Sequence, residues 1–337
     1  MAAGEAAEVR ALFRLPKTDW LYTDEQLSKP PSLKVAKSSR SDQGQKPPSL
    51  DTEDRWRREA VGHIQMLGLY LKVPVTVTAH AASLLHRFYM EQSFLEFRKF
   101  YVSTCCILIA MKLSPDWKVS HMARAKDVLR SSLKRVQMTV KDDSAHFHNH
   151  LDELLYCERA LLATLGFNLD AEVPQALIPR YVNTMGFNKA EKGHVLIKAA
   201  VKITNSALGS TLCLQYPPPI HACAALLYAA NELNIKFPEP KSGVPWYEAV
   251  TVSLSDKTNM VELMDAIILK MKDYVKREQV HLDAQQISVQ AQVTAVRAGK
   301  AASLAKRPQS QTKRPSSEPS SERPQSSRKR RRESSRK

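Results

Sequence analysis

Between Asp51 and Arg277 apolar residues recur at intervals of three and four, with no sustained alternation. That period confines the chain to helices that pack one face on one another. Trp56, Ala60, Ile64, Leu67 and Leu71 mark one helix. Pro74 opens the next, with Val77, Ala81, Leu84, Leu85 and Phe88 along its face. A third carries Phe97, Tyr101, Thr104, Cys105 and Leu108, ending at Lys112. A fourth is expected from Trp117 to Leu133. A fifth carries Leu151, Leu154, Leu155, Glu158, Leu161, Leu162 and Leu165, and Gly166 is a natural stop. Only ten glycines occur in 337 residues, and β-branched residues do not cluster in alternating runs, which argues against a sandwich or barrel.

A second set follows, clearest at Val195–Leu208, Ile220–Leu233 and Met260–Val275. Laying Cys105 on Cys223 pairs Thr104 with Ala222, Cys106 with Ala224, Leu108 with Leu226 and Ile109 with Leu227. Both segments are rich in small residues, as a helix surrounded by neighbours requires. Each can be the central helix of its own bundle, or the two can be ordinary buried helices; the pattern alone leaves both open. Ahead of both sets, Thr23 and Gln26 have the spacing of a capping box, which predicts a short helix to Leu27.

The formal charge of +16 is unevenly placed. Residues 306–337 hold twelve lysines and arginines against three glutamates, a net +9, so the basic balance describes a tail more than a fold. That tail is Ser, Pro, Lys, Arg and Glu with almost nothing to bury, and disorder is expected there. The five cysteines form no C-x-x-C pair, and four lie within apolar helical patterns. A reducing, intracellular setting is the simple reading. No apolar run reaches the ~20 residues of a membrane span, so no membrane association is expected.

Two charges interrupt the apolar faces. Lys112 ends the stripe that contains Leu108. Glu158 breaks a leucine face, with Leu154 and Leu155 one turn before and Leu161 and Leu162 one turn after. A charge on such a face is costly unless paired. The two can therefore satisfy each other across neighbouring helices and offer spare donors and acceptors to a partner's backbone. The other reading has Lys112 reaching water along its stem and Glu158 facing solvent.

Several runs together resemble the cyclin family, and most the transcriptional cyclins K, T and L. HRFYMEQSF (His86–Phe94) is similar to the end of the family's second helix, and IAMK (Ile109–Lys112) to its L-A-x-K. ERALLATLGFNL (Glu158–Leu169) is similar to E-x-x-L-L-x-x-L-x-F-x-L. Ala207–Ala230 resembles the stretch around L-C-L-x-x-x-P-x-x-I-A, and Trp20–Leu27 the short N-terminal helix of the transcriptional branch. The resemblance covers residues 18–276.

It implies an all-α chain of two tandem five-helix cyclin boxes with disordered extensions. Residues 1–50 would be an N-terminal extension, 51–170 a kinase-binding box, 171–278 a second box and 279–337 a linker and basic tail. The implied partner is a cyclin-dependent kinase, bound as a heterodimer. Lys112 and Glu158 match the pair that grips main chain near the kinase αC helix, and Leu113, Leu162, Phe167 and Leu169 match apolar positions packed against it. Cyclins usually follow the lysine with x-Glu-Glu, whereas Leu113 is followed here by Ser114, Pro115 and Asp116. No glutamate stands at 114 or 115 to make the contact those residues imply.

The expected role is a non-enzymatic regulatory subunit acting in polymerase II transcription or RNA processing, without a cofactor. No P-loop, G-x-G-x-x-G, G-x-S-x-G or HExxH motif appears. His146, His148 and His150 alternate, which suits a solvated interhelical loop better than a metal site. A cyclin-fold adaptor that binds nucleic acid or polymerase without a kinase is the alternative. Such adaptors carry zinc-ribbon cysteine pairs, and residues 1–104 contain no cysteine. Arg328, Lys329, Arg330, Arg331 and Arg332 suit a nuclear-import signal, which places the protein in the nucleus. The surrounding Ser/Arg/Pro mixture is the candidate for RNA or splicing-factor contact.

Overall fold

A computed structural model describes residues 20–34, 47–141, 144–187, 191–237, 245–251 and 259–279. Among them all regular structure is helical. Of the extensions, residues 20–34 and 47–50 are described and structured, with Trp20 and Tyr22 in the core; the remaining stretches expected to be disordered and the import signal at 328–332 lie outside the described residues.

Helix α1 (Asp24–Leu27) begins with the capping box its sequence predicts. Gln26 N–H donates to Thr23 Oγ1 at 3.3 Å, and Thr23 N–H to Gln26 Oε1 at 2.9 Å. Helices α2 (Leu50–Leu71), α3 (Val75–Glu91) and α4 (Lys99–Lys112) follow. Short α5 (Trp117–His121), α6 (Ala125–Arg135) and α7 (Ala145–Thr164) complete the first group. The second consists of α8 (Pro174–Thr184), α9 (Glu191–Ser206), α10 (Pro218–Leu233), α11 (Trp246–Val250) and α12 over 260–279.

Two hydrophobic clusters correspond to these groups. In the first, every residue of α4 from Tyr101 to Met111 is buried. A helix apolar on all sides must be enclosed by others, and α4 packs against α2, α3, α6 and α7. In the second, α10 is buried without interruption from Pro219 to Leu226 and packs on α8 and α9. Small residues let it approach those neighbours: Ala222, Cys223, Ala224 and Ala225 are all fully buried. Both small-residue helices are thus central, as the first of the two sequence readings required.

Two expectations need correction. The fourth helix is not continuous from Trp117 to Leu133; it stops at Met122 and restarts after Arg124. Val119, Val128 and Leu129 are all buried. On a straight helix at ~100° per residue, nine residues place Val119 and Val128 about 180° apart. The break turns both inward. The histidines at 146, 148 and 150 are not in a loop but in the first two turns of α7, capped by Ser144, whose Oγ accepts from Phe147 N–H at 3.2 Å. Ring contact joins His146 to His150, and the Tyr101 hydroxyl pairs with His150 Nδ1 at 2.7 Å.

The chain's first described segment ties the two groups together. Tyr22 N–H donates to the Leu214 carbonyl at 2.7 Å, in the 3₁₀ turn Thr211–Leu214. Lys270 of α12 reaches Asp24 at 3.1 Å and Gln215 Oε1 at 2.5 Å.

Candidate docking site

α4 and α7 pack side by side and bring the two interrupting charges together. Lys112 Nζ donates to Glu158 Oε1 at 2.5 Å. The glutamate side chain is 15% exposed and the lysine 45%. The pair therefore lies at the edge of the core, with the lysine the more exposed partner. Both sequence readings contribute: the lysine stem does reach solvent, but the acid does not face it.

Leu113 ends α4, its N–H donating to the Ile109 carbonyl at 3.0 Å, and its side chain is exposed. Leu162, one turn beyond Glu158, is half-buried against the first cluster. Leu155 lies one turn before Glu158 and is exposed. At 3.6 residues per turn, 155, 158 and 162 share a face. Sequence reasoning placed Leu155 among the core leucines, because exposure does not show in a periodic pattern.

Beyond α7 the chain turns sharply. Gly166 and Phe167 both adopt left-handed backbone, with φ of 56° and 58°, while their N–H groups return to the Ala163 and Leu162 carbonyls at 3.1 and 3.0 Å. Glycine meets that requirement freely. For phenylalanine it costs about 1–2 kcal/mol, yet the ring is 60% exposed. The next apolar residue, Leu169, is half-buried on the first cluster.

Two side chains of α3 hold this loop. His80 Nε2 donates to the Leu169 carbonyl at 2.7 Å, and Arg87 Nη1 to the Asp170 carbonyl at 2.8 Å. Burial lowers the His80 pKa, which keeps the ring neutral with its proton on the donating nitrogen. Seven residues separate the two, so they lie on one face. Sequence reasoning did not find them, since their partners are carbonyls. The structure thus gathers Lys112, Leu113, Glu158, Leu162, Phe167 and Leu169 around the α4–α7 seam and the loop that follows. Among the described residues no group of three or more His, Cys, Asp or Glu is placed to hold a metal. No described helix is long and apolar enough to cross a membrane.

Two helical groups, each around a central small-residue helix, define an all-helical scaffold among the described residues. Residues 29–170 match the cyclin N-terminal domain, and the chain is similar to several cyclins beyond that segment. It is 27% identical to human Cyclin-T2 over 270 residues, which are 79% of this chain and 32% of that protein. It is 29% identical to Cyclin-K of Danio rerio over 228 residues, 66% of this chain and 50% of that one. The chain thus spans about a third to a half of these relatives' length. A chain of the yeast RNA Pol II CTD kinase CTDK-1 complex shares the fold, with a TM-score of 0.51 at 17% identity, over 74% of this chain and 76% of that chain.

Proposed function

We propose that the protein is the non-catalytic regulatory subunit of a cyclin-dependent kinase, and that the Lys112–Glu158 seam docks the kinase αC region. One observation carries this reading: a half-exposed ion pair at 2.5 Å flanked by exposed Leu113, Leu155 and Phe167. A phenylalanine in left-handed backbone that is 60% exposed, beside an ion pair at the edge of the core, is a costly arrangement for the fold alone. A partner that covers them does gain: apolar anchors at the centre of an interface, and oriented charges that fix main-chain register.

The mechanism is a population shift. A protein kinase needs its β3 lysine paired with an αC glutamate. A rigid surface complementary only to the inward αC position moves the equilibrium by its differential affinity. Reversing 1:99 to 99:1 requires roughly 5.5 kcal/mol, which a few buried anchors can supply. On this reading residues 51–170 form the kinase-facing box and 171–278 the second. The similarity to cyclins T and K, and the fold shared with a chain of a polymerase II CTD kinase complex, support a role in transcription. The segment 328–332 would direct the chain to the nucleus, and the surrounding tail is the candidate for RNA or splicing-factor contact.

Affinity purification of the full chain, followed by identification of a co-purifying kinase and assay on a polymerase II tail peptide, tests the reading. Recovery of a cyclin-dependent kinase that is lost with Glu158→Ala or Phe167→Ala supports it. A kinase that binds both variants as well as the natural chain refutes the assigned surface.

A further inference from the structure

A cleft of about 400 Å³ opens where the two helical groups and the segment at Trp20 meet, and Asn168 and Asp170 of the loop after α7 line part of it. Its apolar walls come from Ala79 and Ala82 of α3, Val173, and Ala207 and Leu208 after α9. Its inner end is polar in an unusual way. His221, in the first turn of α10, is 5% exposed, and neither ring nitrogen has a hydrogen-bond partner. Gln175, in the first turn of α8, is 3% exposed; its Nε2 donates to Asn205 Oδ1 at 3.2 Å, but its Oε1 is left without a donor.

An unmade hydrogen bond on a buried group costs about 1–3 kcal/mol. Two such groups lining one cavity are therefore a liability unless something fills it. The starts of α8 and α10, neither with a side-chain cap, face the same space.

The missing partners define the occupant. Burial lowers the His221 pKa to about 4, so the ring is neutral and offers one N–H and one acceptor. Gln175 adds an acceptor. The cleft therefore asks for donors and an acceptor alternating on an apolar body. At the mouth, Arg87 is set against exposed Asp170 and Glu172, and its guanidinium is already engaged by the Asp170 carbonyl and the Trp20 ring. Nothing there favours a strongly charged ligand. A main-chain segment supplies the pattern, since each residue carries one N–H and one C=O.

We propose that this cleft is a second docking site, which takes a short, uncharged, apolar peptide segment of a partner protein. An apolar side chain would enter between Ala82 and Leu208, with one peptide N–H on Gln175 Oε1 and one peptide carbonyl on the His221 N–H. The site does not depend on the kinase assignment.

The test is titration of the full chain with the peptide acetyl-Leu-Ala-Leu-amide, followed by the methyl resonances of Ala79, Ala82, Ala207 and Leu208. Saturable shifts of these methyls at millimolar peptide or below are expected. A peptide N-methylated at its central amide should bind at least tenfold more weakly, because it lacks the donor. His221→Leu should also bind at least tenfold more weakly, while its melting temperature stays level or rises, since the ring has no internal bond to lose. Kinase recovery by His221→Leu should equal that of the natural chain. No saturable shift, equal binding of the N-methylated peptide, or undiminished binding by His221→Leu would each overturn the site.

Discussion

His80 of α3 and Leu169 beyond α7 are joined by a 2.7 Å hydrogen bond from an imidazole N–H to a backbone carbonyl. Eighty-nine residues separate them in the chain, so this bond is a long-range tether on the loop that presents Phe167. Replacing His80 by Phe keeps most of the packing and removes the donor. Losing one hydrogen bond to a partly buried carbonyl costs about 1 kcal/mol. Kinase association should therefore weaken about fivefold while helical content is unchanged. Equal affinity of the natural and His80→Phe chains in a titration would show that the loop needs no tether.

The Lys112–Glu158 pair should matter far more for binding than for stability. With the lysine 45% exposed, solvent screening holds its worth to the fold under about 1 kcal/mol. Covered by a partner, the same pair is desolvated, and removing one member leaves the other without its counter-charge. Glu158→Ala should shift the melting temperature by only a few degrees and lower kinase affinity about 10–100-fold. Calorimetry and surface-binding measurements on one preparation separate the two effects. A large melting shift with intact binding would make the pair structural.

Arg57 and Glu53 of α2 present the opposite case. They pair at 2.6 Å with side chains 3% and 1% exposed, and Arg57 also donates to the Tyr89 carbonyl at 2.9 Å, at the end of α3. Arg57→Met leaves a carboxylate buried without its partner, which costs about 3–5 kcal/mol. Glu53→Leu combined with Arg57→Met removes both charges, and the double variant should be more stable than Arg57→Met alone. Urea melts of the natural chain and these variants decide it. Additive losses would mean the two residues do not act as a pair.

Stability should fall in mild acid because of three histidines. Burial lowers the pKa of His63 to about 4, of His86 to about 3 and of His221 to about 4, with Arg135 and Arg57 adding to the effect at the first two. His86 donates from Nε2 to the Leu208 carbonyl at 2.9 Å, which fixes its tautomer. A lowered folded-state value means the unfolded chain binds protons first. Stability is then complete above the unfolded pKa of about 6.5 and is lost as pH drops below it. By pH 5 each histidine costs about 2 kcal/mol, a large share of the ~5–15 kcal/mol typical of a domain. Melting temperature should be flat from pH 8 to 7 and fall steeply from 6.5 to 5, and His221→Leu should make the fall shallower. A flat profile to pH 5 would contradict this.

Much of this arrangement was legible in the residues, and the remainder was hidden for physical reasons. Buried small-residue stretches announced α4 and α10, and charges on apolar faces announced Lys112 and Glu158, because burial costs leave a compositional trace. The interruption at Met122 left none: no proline or glycine marks it, and only the demand that Val119 and Val128 both face inward produces it. Helix α8 was not read from the pattern because Pro179, inside it, looks like a breaker. His80, Arg87 and the orphaned nitrogens of His221 depend on which carbonyls and cavities the tertiary fold brings near them. Such contacts have no local signature.

Phe167 gives the sharpest separation of fold from recognition. Its φ of 58° is a conformation glycine adopts without penalty, and it follows Gly166 in the same region. Phe167→Gly should relieve about 1 kcal/mol of backbone strain, against which the added freedom of glycine in the unfolded chain costs up to about 1 kcal/mol. Stability should therefore hold within about 1 kcal/mol although a large aromatic side chain has been removed. Truncating a buried core phenylalanine such as Phe88 costs about 3–5 kcal/mol. Kinase affinity, by contrast, should fall at least tenfold, because the ring is the largest exposed apolar group beside the Lys112–Glu158 seam. Phe167→Asn offers an internal check: asparagine tolerates left-handed backbone without restoring the ring, so it should match glycine in both measurements. If either variant melted as far below the natural chain as Phe88→Ala, the ring would belong to the core. If both bound the kinase undiminished, Phe167 would have no part in docking.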